Sequence, residues 1–427
     1  MLKVDSKIRR PEALSKNKQG MFSGGFLLIF LYFFFEYLRV QDNIFTFLAP
    51  LKISMWLTLA LAVLLIKSNK SVLKDPVNVA VLLMFMEIVL WVPFAKNNFH
   101  AYQVAKNMAI TLVSVFSIIV VINSLDKLFV FLRVFAVFSI INASWVISHG
   151  GTGPGGFLLD ENDIALALVT GLPIVFYTLI MDSSKFWKVT GFIGFALILV
   201  AVVITSSRGG FLGLLAALFL IIWQSKKKWR NISISIFLAV FMGGLLVNVL
   251  PDSYISEVQS IKNTQEGTAN LRFLHWTTGI EILKDNPFFG VGPNNYPWTS
   301  GDYFHLSPFF DEAARFRSGR QAHSLYFTLV PELGFFGIIL FSYITLKFFK
   351  RIKVIKKEKR LSDDDAEKIW LCSKALFGGM GGFLVAGAFI SVLYYPIYWH
   401  LVALSISMYL IYERLLSNHG RTLHDGR

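Results

Sequence analysis

Arg320-Gln321-Ala322-His323-Ser324 sets a guanidinium and an imidazole at the mouth of an apolar run, Leu325 to Leu346. Ionisable groups at the edge of a hydrocarbon-length segment are costly, so such a pair is by default a candidate for function. Three more polar clusters stand in the same relation to apolar or helical segments. Asp160-Glu161-Asn162-Asp163 precedes one, Ser206-Ser207-Arg208-Gly209-Gly210 opens another, and Arg272 lies near the start of a helically spaced stretch, Asn270 to Lys284. Helix amino termini carry free N–H groups and the positive end of the dipole, so Arg208 and Arg272 sit where guanidinium and backbone donors together can hold a phosphate. The same field disfavours a protonated imidazole, and a neutral His323 can act as a base near neutral pH. Phosphate binding and proton abstraction are therefore the chemistry on offer.

Each residue also has a plainer reading. A histidine at a span boundary is often interfacial and satisfied by water, Arg208 can snorkel beside a glycine turn, and Arg272 can be a solvated charge on an amphipathic helix. Asp160 and Asp163 suit helix caps and Asn162 a turn, as well as a sugar or acceptor contact. Arg315 and Arg317, with Arg320, make a basic cluster that fits a phosphate, an anionic glycan or lipid headgroups equally well. His275 and His305 match no motif, and Glu36 and Glu87 lie within apolar runs without an evident role.

The elements that must position these groups are membrane helices. With 55% hydrophobic, 15% aromatic and only 16% charged residues, the chain is too apolar for a soluble domain of 427 residues. The fold class expected is all-α, a polytopic integral membrane protein with about twelve spans of a length that crosses the ~30 Å hydrocarbon core. They fall near 21–38, 45–66, 76–95, 103–123, 128–148, 163–181, 187–205, 209–224, 231–250, 323–346, 369–392 and 396–416. Lysine and arginine placement orients them, with Lys3 to Lys18, Lys67 to Lys74, Lys226 to Arg230, Lys347 to Arg360 and the tail all on one side. By the positive-inside rule both termini are cytoplasmic, and the polar clusters lie on the outer face. The formal charge of +14 reflects this bias, so membrane lipid is the expected partner of the basic ends and nucleic acid is not. Cys372 is the single cysteine, which excludes an intrachain disulfide and a cysteine-based metal site; no metal or other cofactor is expected. The first apolar run lacks a small-residue cleavage site and reads as a retained span.

The chain divides into helices 1–250, a loop of roughly seventy residues at 251–322, and helices with a tail at 323–427. Loops of that length in compact proteins are usually functional. Within it Asn270 is a plausible helix N-cap, Asp285-Asn286-Pro287 a stop and Gly290 to Asn295 a turn. Pro331 is expected to kink the following span, and Gly334 and Gly337 to permit close packing.

The segment His323-Ser324, nine residues, Gly334, two residues, Gly337 resembles the histidine motif of the bacterial O-antigen ligase family, whose relatives include O-antigen polymerases and O-linked oligosaccharide ligases. The resemblance extends to Leu159 to Ala165, Ser206 to Gly210, and Asn270-Leu271-Arg272 through Trp276 with Asn286 to Gly292. Four motifs in order, over roughly residues 155–340, are more specific than any one of them; the first five spans match only in hydropathy. The resemblance implies a GT-C-like membrane glycosyltransferase at the periplasmic face of the bacterial inner membrane. Its donor would be a glycan on undecaprenyl diphosphate and its acceptor a hydroxyl of lipid A core or another surface molecule. By carry-over Arg208 and Arg272 would bind the diphosphate and His323 would be the base, and Arg320 beside it is a further candidate for the diphosphate. Direct attack assisted by one base would invert the anomeric centre. A repeat-unit polymerase and a protein O-oligosaccharyltransferase share this donor and leaving group. A lipid-linked glycan transporter is the rival from another class; it predicts an internal repeat and polar segments at the bilayer midplane, and the chain has neither duplication nor a symmetric loop pattern.

Overall fold

In the computed structural model residues 23–68, 74–224, 233, 268–312, 318–353 and 361–424 are described. The expected span at 231–250, the first part of the long loop, the basic run 226–230 and both Arg315 and Arg317 lie outside the described residues. The described residues are all-helical, with no strand among them. In chain order the helices are α1 (Gly24–Leu38), α2 (Ile53–Ile66), α3 (Pro76–Trp91), α4 (Asn98–Val121), α5 (Leu125–Ser148), α6 (Glu161–Val175), α7 (Lys185–Ile204), α8 (Arg208–Trp223), α9 (Thr268–Asp285), α10 (Tyr296–Tyr303), α11 (Leu325–Arg351), α12 (Asp363–Gly387) and α13 (Pro396–His424).

Seven of the described helices, α3 to α7 with α11 and α12, are long and apolar enough to cross a membrane, α3 and α6 counting their short 3-10 and π extensions. The chain is a polytopic helical membrane protein. At 1.5 Å per residue the apolar α1, α2 and α8, of 15, 14 and 16 residues, are only about 21–24 Å long. The run 45–66, expected as one span, is divided. Thr46–Leu51 is a 3-10 turn containing Pro50, and Lys52 takes a left-handed φ of 47° before α2 begins. Proline offers no N–H to continue the ladder and a left-handed residue ends it.

Polar caps set the helix starts. Asp75 Oδ1 accepts from Val77 N at 2.9 Å with Pro76 at the first helical position, and Ser124, Asp160, Ser207, Ser324 and Ser362 each accept a first-turn N–H. Asn270 is not the cap of α9 but lies inside the helix, which is described from Thr268; its stop after Asp285 is where the sequence places it.

Small residues set the closest packing, because between helices in lipid dispersion contact replaces the hydrophobic drive. α6, α8 and α12 form a tight trio. A Cβ on Gly213 would lie 2.7 Å from Ala386 Cβ, and one on Gly379 3.0 Å from the Thr170 carbonyl oxygen.

α11 is broken, but not at Pro331. The non-helical residue is Gly334, at φ 58° and ψ −159°. Phe335 N donates to Pro287 O at 2.8 Å and Phe336 N to Phe288 O at 3.0 Å, while Pro331 O and Glu332 O accept from Val291 N and Gly292 N at 2.9 and 3.0 Å. The turn at 287–292 thus satisfies the backbone groups that the break frees, a requirement for irregular backbone away from water. A side chain at Gly334 would place Cβ 2.7 Å from Gly290 N, so both the torsion and the close approach need glycine there.

Candidate functional site

The amino ends of α6 and α11 converge with α9 around a cavity of about 920 Å³. Its wall includes Asp160, Asn162, Asp163, Arg272 and His323, five of the residues singled out from the sequence.

The approach to His323 is anchored from both sides. Trp276 Nε1 of α9 donates to the Ala322 carbonyl at 3.1 Å, and its indole stacks on Phe327 at 4.9 Å between centroids. Gln321 Nε2 donates to Asn294 Oδ1 at 2.8 Å. On the helix side, Ser324 caps α11, and Thr328 Oγ1 donates to Ser324 O at 2.7 Å and to Ser391 Oγ at 3.2 Å. Between these anchors His323 holds a left-handed φ of 48°, unusual for a residue with a Cβ and of the kind that persists where surroundings over-determine it.

The acidic cluster and the Ser-Ser-Arg-Gly-Gly turn are locked together through Asn162. Its Nδ2 donates to Asp160 Oδ1 at 3.0 Å, and its Oδ1 accepts from Ser207 Oγ at 2.7 Å. Ser207 Oγ also accepts from Gly210 N at 3.1 Å, which caps α8 and fixes Arg208 as its first residue. Asp163 Oδ2 accepts from Tyr395 OH at 2.9 Å, tying the start of α6 to the turn before α13.

Arg272 lies over the Phe389 ring, 5.7 Å from its centroid. Burial, and then the nearby charge of Arg208, lowers its pKa from the ordinary value. Arg208 therefore stands close behind Arg272 although it is not part of the cavity wall. His323 is open to the cavity, yet the walls screen it from much of the bulk water. That burial, and next the charge of Arg272, hold its pKa below the ordinary 6.5; Asp160 opposes this and Arg320 adds to it. Arg320 itself is exposed, outside the wall, and acts on the imidazole through its charge. An anion between the guanidinium groups would relieve their repulsion, and the imidazole beside them is kept in the form that accepts a proton.

Several wall residues are not singled out as site residues from the sequence. Glu36 and Arg39 come from α1 and its end, Asn294 and Gln321 from the long loop, and Tyr394 and Tyr395 from the turn before α13. Behind the wall, the fully buried Glu332 accepts from Tyr394 OH at 2.7 Å, Asn294 N at 2.7 Å and Tyr296 N at 3.2 Å. It ties the turn after α9 and the turn before α13 to the broken part of α11. The signal for Glu36 and Glu332 is a carboxylate inside an apolar run, which flags a partner without saying which. His275 is buried and structural, with Nδ1 2.8 Å from Tyr296 OH, and His305 is exposed.

Residues 193–342 match a family model described as O-antigen ligase. Over those residues the chain is similar to the O-antigen ligase family, in line with the motifs read from the sequence. The matched residues include α8, α9 and the start of α11, hence Arg208, Arg272, Arg320 and His323. The wall residues from α1, α2 and α4, with Asp160, Asp163 and Tyr395, lie outside the matched residues. No curated protein matches the chain.

Proposed function

We propose that the protein transfers a glycan from undecaprenyl diphosphate to an acceptor hydroxyl, lipid A core or another surface acceptor, at the periplasmic face of the bacterial inner membrane. The observation that carries this is Arg272 and His323 in one cavity wall, with the charge of Arg208 beside the first and the imidazole held neutral. The topology in this reading has about twelve spans, cytoplasmic termini and the 251–322 loop outside.

Arg272 and Arg208 hold the diphosphate, and His323 takes the proton from the acceptor hydroxyl. The acceptor oxygen bonds to the anomeric carbon from the face opposite the phosphate, the bond to the phosphate oxygen breaks, and lipid diphosphate leaves with the electron pair. One displacement inverts the anomeric centre. Negative charge grows on the leaving group, where fixed guanidinium groups stabilise it without a divalent ion. Asp160, Asn162 and Asp163 line the cavity as sugar or acceptor contacts, besides their structural bonds. The O-antigen ligase match favours ligation; polymerisation and transfer to protein use the same donor and leaving group.

The deciding experiment combines purified protein with lipid-linked donor and acceptor. His323→Ala should bind donor as the natural protein does but slow transfer by about 10²–10⁴-fold, the usual share of a general base. Transfer should also persist in EDTA. Near-normal turnover in the variant would remove the base role from His323.

A further inference from the structure

Glu332 lies inside α11, just before the break at Gly334, and is fully buried. Its side chain is not needed to close that break. The backbone groups freed there are already paired, Phe335 N and Phe336 N with Pro287 O and Phe288 O, and Pro331 O and Glu332 O with Val291 N and Gly292 N. Taking a carboxylate out of water is costly, and an apolar residue of similar size in its place is often as stable or more so. A buried carboxylate at this point therefore answers to something other than the helix.

Its hydrogen bonds show what that is. Oε2 accepts from Asn294 N and from Tyr394 OH, each at 2.7 Å, and Oε1 accepts from Tyr296 N at 3.2 Å. All three partners donate, which suits a side chain with two acceptor oxygens and no N–H. Asn294 is the partner that leads toward the chemistry. It holds a left-handed φ of 51°, and its Oδ1 accepts from Gln321 Nε2 at 2.8 Å. Gln321 precedes His323 by two residues, and Asn294, Gln321 and His323 share the cavity wall, which Glu332 itself does not reach. The bonds from Glu332 through Asn294 to Gln321 thus end on the short segment that carries the imidazole, where His323 is held at a left-handed φ of 48°.

We infer that Glu332 is a positioning residue for His323: its carboxylate fixes Asn294, Asn294 holds Gln321, and Gln321 sets where the imidazole stands in the cavity. This rests on the proposed transfer with His323 as base. The role needs the carboxylate rather than its bulk. In Glu332→Gln one oxygen becomes an amide NH2 that faces a donor, so at least one of the three bonds is lost at nearly unchanged volume. A base moved by a fraction of an ångström loses rate without losing substrate, because in the proposed reading Arg208 and Arg272 hold the diphosphate.

Steady-state transfer by the full-length protein, with lipid-linked donor and acceptor, tests this in two backgrounds. In the natural protein Glu332→Gln should lower kcat about tenfold and leave KM for the donor within about twofold. In the His323→Ala background the same change should alter the residual rate by less than about twofold, since a residue that acts through the imidazole has nothing left to position. Asn294→Gly keeps the N–H that Glu332 accepts from and suits the positive φ, but removes the link to Gln321; it should lower kcat about fivefold, again on condition that His323 is present. That variant decides the case if Glu332→Gln does not fold. An unchanged kcat in either variant, a loss that falls on KM, or an equal loss without His323 overturns the positioning role. Absence of transfer by the natural protein overturns the proposed function itself, and the positioning role with it.

Discussion

His323 stands one residue before the cap of α11, in a backbone conformation held by the Trp276, Ser324 and Gln321 contacts on either side. Burial and Arg272 lower its pKa, so the neutral form persists to lower pH than for a free histidine. Transfer limited by this base should rise with pH along a limb whose midpoint lies below 6.5 and level off above it. Arg272→Gln removes a repelling cation, so in whatever activity remains the midpoint should move up toward the ordinary value. A pH–rate profile with an unmoved midpoint would separate the two residues. For the guanidinium groups the informative change keeps the charge. Arg208→Lys and Arg272→Lys should each lower transfer by about tenfold or more, because an ammonium cannot reproduce the planar two-pronged bond to a diphosphate. Normal kinetics in both lysine variants would take diphosphate binding away from these positions.

At the scale of elements, the site depends on how α11 is broken. Gly334 permits the break, the 287–292 turn fills it, and Glu332 on the preceding turn gathers Asn294, Tyr296 and Tyr394. Gly334→Ala adds a side chain at φ 58° and drives a Cβ to within 2.7 Å of backbone atoms. It should destabilise the fold by about 1–3 kcal/mol and reduce transfer, which thermal unfolding in detergent and an activity assay would measure together. An unchanged melting temperature would mean that the turn and the break yield easily. What the sequence could and could not foretell divides along the same line. Asp160, Ser207 and Ser324 announce helix starts because capping is local chemistry, and the order of the polar clusters brings His323, Arg272 and Asp160 into one wall. Pro331 is an equally local signal, yet the break falls at Gly334, because its position is decided by backbone partners some forty residues earlier in the chain. Glu36, Glu87 and Glu332 look alike in sequence; only tertiary contact distinguishes a cavity wall from a buried anchor.

For the whole molecule, α11 runs from the His323 end of the bundle to Arg351, and the far end is tied by ions. Arg351 Nη2 lies 2.7 Å from Asp75 Oδ2 at the start of α3, and Lys368 Nζ 3.2 Å from Asp126 Oδ1 at the start of α5. Lys350 and Arg351 close α11 at that end, while the end of α1 and the starts of α6 and α9 supply Glu36, Arg39, Asn162, Asp163 and Arg272 to the cavity at the other. The charge asymmetry along the bundle is what the positive-inside rule reads, and it supports the proposed placement of the cavity outside the cytoplasm. Labelling tests this directly, since Cys372 is the single cysteine and is buried. In a Cys372→Ser background, Ser318→Cys replaces an exposed residue on the loop that leads into His323, and Ser417→Cys an exposed residue near the end of α13. A membrane-impermeant maleimide applied to spheroplasts should modify the first at once and the second only after permeabilisation. The reverse pattern would put His323 on the cytoplasmic side, where a donor displayed at the outer face could not reach it.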